Sequence, residues 1–451
     1  MAVWQEHRSQ TALEKLSVIE TTLPTVTAKL ISKLANSRLS VPLRKALRRV
    51  RETYYSVEVL TRVVTKTAPL ALDVRDDVDQ RVNIIIPEIN FDNFYGGYIA
   101  KFNLARRLAE AGRKVRLIVV DQCDMDLPAW RRSISKYSGL ETIFDTVEVA
   151  YHFDRRIPLI VHSNDLMLAT TWWTAFIAEA AIGYTARSEF IYLIQEYEPF
   201  TFPMGSYYAL ARASYDFPHK AIFSTELLRK YFRRYKIGSN CAGGDQRVDD
   251  TISFQNAIIN YRPEELTLVE RKPHRLLFYA RPESHAARNM FEIGYQALVK
   301  AIETRIFDDE WEFHGIGSSH GDIPLPRGKR LKMLGKVDLQ RYRELLKHYD
   351  IGLSLMYTPH PSLLPLEMAA AGIVVVSNEC LNKTREDLTA ISSNIIAGHP
   401  TISGVLDSLG DARRCVTNTQ ARLAGAQVRW ATSWDQSFDG HFMNVVNKWI
   451  G

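Results

Sequence analysis

A chain of 451 residues with 46% hydrophobic and 24% charged residues and a net charge of +6 is too long for one hydrophobic core and too ordinary in composition to be disordered, fibrous or held by disulfides. No apolar run approaches the roughly 20 residues that cross a bilayer, and Trp4, Gln5, Glu6 and His7 interrupt any export signal after Met1. Four scattered cysteines, Cys123, Cys241, Cys380 and Cys415, have neither CxxC nor ligand spacing, which argues against a zinc site or a disulfide framework. The expectation is a cytoplasmic protein with two domains of about 200 residues each and an extension.

The extension comes first. Between Lys29 and Lys66 stand ten Lys or Arg residues against only Glu52 and Glu58. Leu43, Leu47, Val50, Tyr54 and Val57 recur at helical spacing among Arg44, Lys45, Arg48, Arg49 and Arg51, giving a basic amphipathic helix. Packing on its own body or in a homodimer, with the cations solvated, is one reading; peripheral contact with an anionic membrane is another. Nucleic acid is disfavoured, because aromatic interleaving and a recognisable nucleic-acid fold are absent. The acidic run Asp73–Asp79 closes the extension, assigned to residues 1–80.

From Val82–Pro87 onward short apolar strands alternate with helical stretches: helix Gly97–Ala111, strand Val115–Asp121, strand Leu159–His162, a helix near Met167–Ala181, strands Phe190–Gln195 and Ala221–Ser224, and a helix to about Tyr235. That alternation predicts a parallel sheet covered on both faces, a Rossmann-like domain over 81–265. Pro263–Pro273 reads as a hinge. The pattern restarts with strand Arg275–Ala280, helix Asn289–Ile302, strand Trp311–Gly315 and helix Leu339–His348, giving a second Rossmann-like domain over 266–430. A last helix over 431–451 completes the chain.

Open α/β sheets bind ligands outside the carboxyl ends of their strands, so residues just after strands are the candidates. Gly96 and Gly97 stand before a helix start, where backbone amides can approach a phosphate, although the dinucleotide fingerprint GxGxxG is absent. His162, Asp165 and Glu196 follow apolar strands and are expected to line the crevice; a hydrogen-bonded structural role is the plainer alternative for the histidine. Trp172 and Trp173 read as core. Asp124-Met-Asp126 lacks supporting acidic ligands, so no metal site is expected. The densest signal is Tyr357-Thr-Pro-His-Pro-Ser-Leu-Leu-Pro-Leu-Glu-Met-Ala-Ala-Ala-Gly372. It reads as strand end, loop and short helix, with Ser362 as cap, Glu367 inside the helix and Gly372 ending it.

That segment resembles the nucleotide-binding motif of GT-B glycosyltransferases, in particular the large retaining group similar to sucrose and glycogen synthases. The motif carries two glutamates eight positions apart; Glu367 matches the second, and Pro359 stands where the first belongs. His-Pro-Ser before Pro-Leu-Glu-Met-Ala is similar to rhamnosyltransferases of bacterial S-layer and surface-polysaccharide assembly. The resemblance implies an α/β GT-B fold, two Rossmann-like domains facing a cleft. It places Arg281, Arg288 and Lys336 on the donor diphosphate, Glu367 on the ribose, and Ser362, Leu363, Tyr357 and the Gly96–Gly97 turn around the phosphates and pocket. Glu196, His162 and Asp165 would orient the acceptor.

The resemblance thus implies transfer of a sugar from a nucleoside diphosphate donor to a hydroxyl of a cell-surface or lipid-linked glycan. It implies retention, no metal and no other cofactor. Rhamnose from dTDP-rhamnose fits the motif best, with UDP- and GDP-sugars open. Two alternatives stay open as well: a nucleotide-sugar 2-epimerase on the same fold, and a non-catalytic intracellular scaffold, which the missing glutamate keeps in play.

Overall fold

The computed structural model describes residues 62–451 apart from 92–93, 95, 240–247, 267, 269–271 and 336. Two compact units are distinguished, Met1–Ala68 and Pro69–Gly451. The basic helix expected around Leu43–Val57 lies outside the described residues, as does Lys336. Among the described residues no helix is long and apolar enough to cross a membrane.

The larger unit contains two seven-stranded sheets. The first comprises β2 (Val82–Ile86), β3 (Val115–Val119), β4 (Glu148–Tyr151), β6 (Leu166–Ala169), β7 (Phe190–Ile194), β8 (His219–Ser224) and β9 (Thr251–Phe254). Its order is β4-β3-β2-β6-β7-β8-β9, parallel throughout. β2, β3, β6 and β7 are buried at every position, as befits strands covered on both faces. Two apolar clusters lie on this sheet, one built on Ile84, Leu117 and Phe102, the other on Ile85, Ile118 and Tyr192.

The second sheet comprises β10 (His274–Tyr279), β11 (Trp311–Ile316), β12 (Ile323–Pro324), β13 (Arg330–Met333), β14 (Ile351–Leu353), β15 (Val374–Asn378) and β16 (Ile395–Gly398). Its order is β12-β13-β11-β10-β14-β15-β16, and only β12 runs antiparallel. In both sheets the chain starts centrally, builds one side and then returns to build the other. The reversals fall between β2 and β6 and between β10 and β14, which puts a crevice at the carboxyl end of each. These two α/β domains with their parallel sheets bear out the expected architecture.

Two expected elements are placed differently. Leu159–Val161 (β5) does not join the main sheet but pairs with β1 (Leu72–Val74) in a separate two-stranded sheet. The stretch expected as a helix from Met167 begins as β6 and becomes helical only at Trp172. Leu-Met-Leu-Ala has no β-branched residue and reads as helix by propensity, but burial between β2 and β7 overrides that preference.

The helices of the two domains include α1 (Gly96–Glu110), α2 (Trp172–Ile182), α3 (Glu226–Arg234), α4 (Phe291–Glu303), α5 (Leu339–Leu346), α6 (Leu364–Ala370), α7 (Arg385–Ile391), α8 (Ile402–Cys415) and α9 (Gly440–Ile450). α9 packs Phe442, Val446 and Ile450 into the first domain's core beside Phe254. The Trp449 indole donates to Asp249 O at 3.0 Å, and Arg113 donates to Gly451 O at 2.6 Å. Between the domains the two crossing segments are tied side by side: Ile258 N–H donates to Ala431 O at 3.0 Å and the Trp430 indole to Asn256 O at 2.8 Å.

Candidate active site

The carboxyl ends of the two sheets meet. A Cβ on Gly96, the first residue of α1, would lie 2.6 Å from Leu363 Cδ1 of the second domain, so the two turns are in contact and any larger residue would shift the Leu363 side chain. Gln195, just after β7, donates to Gly97 O at 2.9 Å and holds the same turn from the side. From β8, Ser224 Oγ lies 3.4 Å from His360 Nε2 and also bonds Asn256 Oδ1. Asn256 in turn donates to Gly96 O at 3.3 Å. His360 is buried, and its Nδ1 accepts from Ser362 N–H at 3.0 Å. The ring proton therefore sits on Nε2, facing Ser224. Burial, with Lys383 and Arg288 nearby, pushes the imidazole down to about 3, so His360 is a neutral donor at physiological pH.

Glu196 enters this junction from the first domain. Burial pushes its carboxyl up to about 7, against the pull of Arg288 and Lys383 and of the Thr358 hydroxyl, all on the second domain. Lys383 has no exposed surface and donates from Nζ to Met356 O at 2.8 Å and to His360 O at 3.5 Å. Arg288 lines a cavity of about 460 Å³ with Phe200, Met290, Tyr357 and Pro400. Its main chain holds the motif loop, because Arg288 O accepts from Tyr357 N–H at 2.7 Å. Its Nε is buried and, among the described residues, has no hydrogen-bond partner.

Arg281 and Arg288 do not share a pocket. Arg281 faces a second cavity of about 380 Å³ with Glu283, Gly317, Ser318 and His320. There it donates to the Tyr279 hydroxyl at 3.3 Å and meets His285 Nε2 at 2.9 Å. Gly317 has φ of +100°, and a Cβ there would fall 2.5 Å from the Tyr279 ring, so that loop needs glycine.

Within the motif, Ser362 takes a positive φ of 66° rather than capping the helix; Leu363 is the N-cap, with no side-chain cap bond. The Ser362 amide is committed to His360 and is not free for a phosphate. Glu367 turns toward the Tyr342 hydroxyl of α5 and the Ile259 amide, and burial pushes it up to about 7. A raised carboxyl stabilises the fold while protonated. That contribution is complete below pH 4.5 and is lost as pH rises through about 7. Glu367→Gln is therefore expected to flatten the fall in thermal midpoint between pH 5 and 8; an unchanged slope would place Glu367 in solvent.

Two expected site residues lie elsewhere. Asp165 precedes β6 and has no exposed surface. It accepts from Arg81 N–H at 2.6 Å and Asn83 Nδ2 at 2.9 Å, with Arg116 at 3.6 Å. His162 follows β5 and accepts from Asn164 N–H at 2.9 Å, with Asp76 at 3.8 Å. Both sit at the amino ends of the main strands, opposite the cleft, because β5 belongs to the small sheet and residues 163–165 turn into β6. Glu198 is also structural in its geometry: it accepts from Trp172 N–H at the start of α2 at 3.1 Å and faces buried Lys101.

Sequence reasoning missed Lys383, Ser224 and Asn256 and did not single out His360. Ser224 could have been found as the last residue of a buried strand. Lys383, in the mixed stretch Glu-Cys-Leu-Asn-Lys-Thr that follows β15, carries no signal.

Comparison with known proteins fits this geometry. The fold is similar to Anabaena Alr3699/HepE, solved in complex with UDP-glucose, with a TM-score of 0.54 and 14% identity over 82% of this chain and 99% of that one. Over 297 residues, 63% of its length, the chain is 31% identical to the O-antigen biosynthesis protein RfbC of Myxococcus xanthus, of which it spans 21%. The fold defines the class: the protein has GT-B architecture, two α/β domains with parallel sheets facing each other. More particularly, it carries both domains of one family, residues 81–226 matching "WsaF, N-terminal domain" and 274–410 matching "WsaF, C-terminal domain".

Proposed function

We propose that this protein transfers a sugar from a nucleoside diphosphate donor to a hydroxyl of a bacterial surface polysaccharide. One observation carries the reading. Gly96, Ser224 and Glu196 of one sheet's carboxyl edge meet Arg288, Thr358, His360 and Leu363 of the other's, and the Arg288 Nε has no partner among the described residues. A diphosphate leaving group needs fixed positive charge where the glycosidic bond breaks, and Arg288 supplies it, with Arg281 in a second cavity.

In this reading the acceptor oxygen bonds to the anomeric carbon, the carbon–oxygen bond to the diphosphate breaks, and the hydroxyl proton passes to a leaving phosphate oxygen. Configuration is retained and no metal is needed. Glu196 orients the acceptor hydroxyl. The Myxococcus relative's name supports a surface polysaccharide, and the UDP-glucose bound to the Anabaena protein supports a nucleotide-sugar. The His-Pro-Ser motif favours rhamnose from dTDP-rhamnose.

The test is thermal unfolding with dTDP, UDP, GDP and ADP, each with and without magnesium, followed by product analysis with the matching sugar nucleotide. A ligand at about one hundred times its Kd adds roughly 2.7 kcal/mol. The expected result is selective stabilisation by one diphosphate, insensitive to magnesium, and sugar transferred to acceptor. Release of an epimerised sugar without acceptor would replace the transfer reading, and no stabilisation by any nucleotide would defeat it.

A further inference from the structure

We propose that Lys383 is a positioning residue of this site: buried on the second domain and facing Glu196 across the cleft, it holds the Tyr357–Ser362 loop in the shape that receives the donor. The inference rests on the transfer reading.

A lysine with no exposed surface needs an explanation, since an ammonium is costly to bury unless it is paired. Its partners show what it organises. Met356 O and His360 O, the two carbonyls that Nζ holds at 2.8 and 3.5 Å, bracket the loop between β14 and α6. That loop is not at rest, because Ser362 lies in the left-handed region at φ 66° without being glycine. Lys383 fixes the loop at one end, the His360 ring fixes Ser362 at the other, and Asn378 Oδ1 accepts from Met356 N–H at 2.7 Å beneath.

The nearest carboxylate field on Lys383 comes from the facing domain, although no carboxylate among the described residues lies within ion-pair distance of it. Glu196 is surrounded by Arg288, Lys383, the Thr358 hydroxyl and Glu198, and Lys383 by Glu196, Cys380 and His360. Next to it, Asn382 donates to Leu227 O of α3 at 2.8 Å, so the segment bearing Lys383 is bonded to the first domain as well. Pro359, which brings no carboxylate of its own, lies between Thr358 and His360. The Thr358 hydroxyl beside it bonds Glu196 of the facing domain.

Each group favours the charged form of the other: Lys383 lowers the Glu196 pKa, and Glu196 raises that of Lys383. Burial raises the Glu196 carboxyl and lowers the Lys383 ammonium, so the two are charged together chiefly near neutral pH.

The experiment is a double-mutant cycle of E196Q and K383M, read as thermal midpoints from pH 5 to 10, with dTDP and UDP binding measured on the same proteins. The expected non-additivity is largest near neutral pH and fades toward both ends. K383R is expected to keep the coupling and extend it above pH 8, because arginine does not titrate there; it also replaces K383M in the cycle if the methionine variant does not fold. K383M is expected to weaken diphosphate binding about tenfold, with K383R restoring most of it. Coupling that is absent or flat with pH, or a K383M protein that binds dTDP and UDP like the wild type, would overturn the proposal. If the wild type binds neither nucleotide nor any other diphosphate, the transfer reading falls, and the melting cycle still decides whether the pair exists.

Discussion

Arg288→Ala is expected to lower kcat/KM for sugar transfer by about 10²–10³, the cost of removing one placed donor from a transition-state site. The guanidinium has few competing commitments: Nη1 reaches His285 O only at 3.5 Å, and Nε is buried without a partner among the described residues. Across the cleft it faces Glu196, whose carboxyl it pulls down, and an incoming diphosphate would compete for that attraction. Arg281 differs, since it already engages the Tyr279 hydroxyl and His285. Arg281→Ala is therefore expected to cost about tenfold. Steady-state release of the nucleoside diphosphate, with calorimetric binding of the same nucleotide, separates the two. If Arg281→Ala were the more damaging, the reacting phosphate would belong in the cavity of Gly317 and His320.

Asp165→Ala has the largest expected effect on stability, about 3–5 kcal/mol, with nucleotide affinity unchanged. The carboxylate sits beside buried Arg116, accepts from the Asn83 amide and receives the Arg81 N–H that starts β2. Removing it leaves the Arg116 guanidinium, only 3% exposed, with Glu148 at 3.6 Å as its remaining carboxylate, and strips the Asn83 amide and the Arg81 N–H of their acceptor. Denaturant unfolding measures the loss and nucleotide titration provides the control. A variant as stable as the wild type but defective only in acceptor use would return Asp165 to the active site.

These two residues also mark how far the sequence could be read. The sheets were legible because runs such as Val82–Ile86 and Val374–Asn378 have a composition that suits burial on both faces. The crevice side of the second domain was legible because the motif loop, its helix and Gly372 are continuous in the chain. Polarity was not legible for Asp165 and His162. A short apolar strand does not reveal which sheet it joins, so the residue after Val161 looked like one facing the cleft until β5 paired with β1. Glu196 was found because β7 does join the main sheet. Lys383 was out of reach because its partners, Met356 O, His360 O and Glu196, are assembled only by tertiary packing.

The return of α9 to the first domain has a consequence for biosynthesis. Phe438, Phe442, Val446 and Ile450 complete the apolar cluster that begins with Val82 and Ile84. A nascent chain therefore leaves the ribosome with Phe254 and its neighbours uncovered while the whole second domain is translated. Domains usually mature in order of synthesis. Here the half made first is sealed after the half made second, so a ribosome stalled within the second domain would release a product with a greasy, unclosed flank for chaperones to shield.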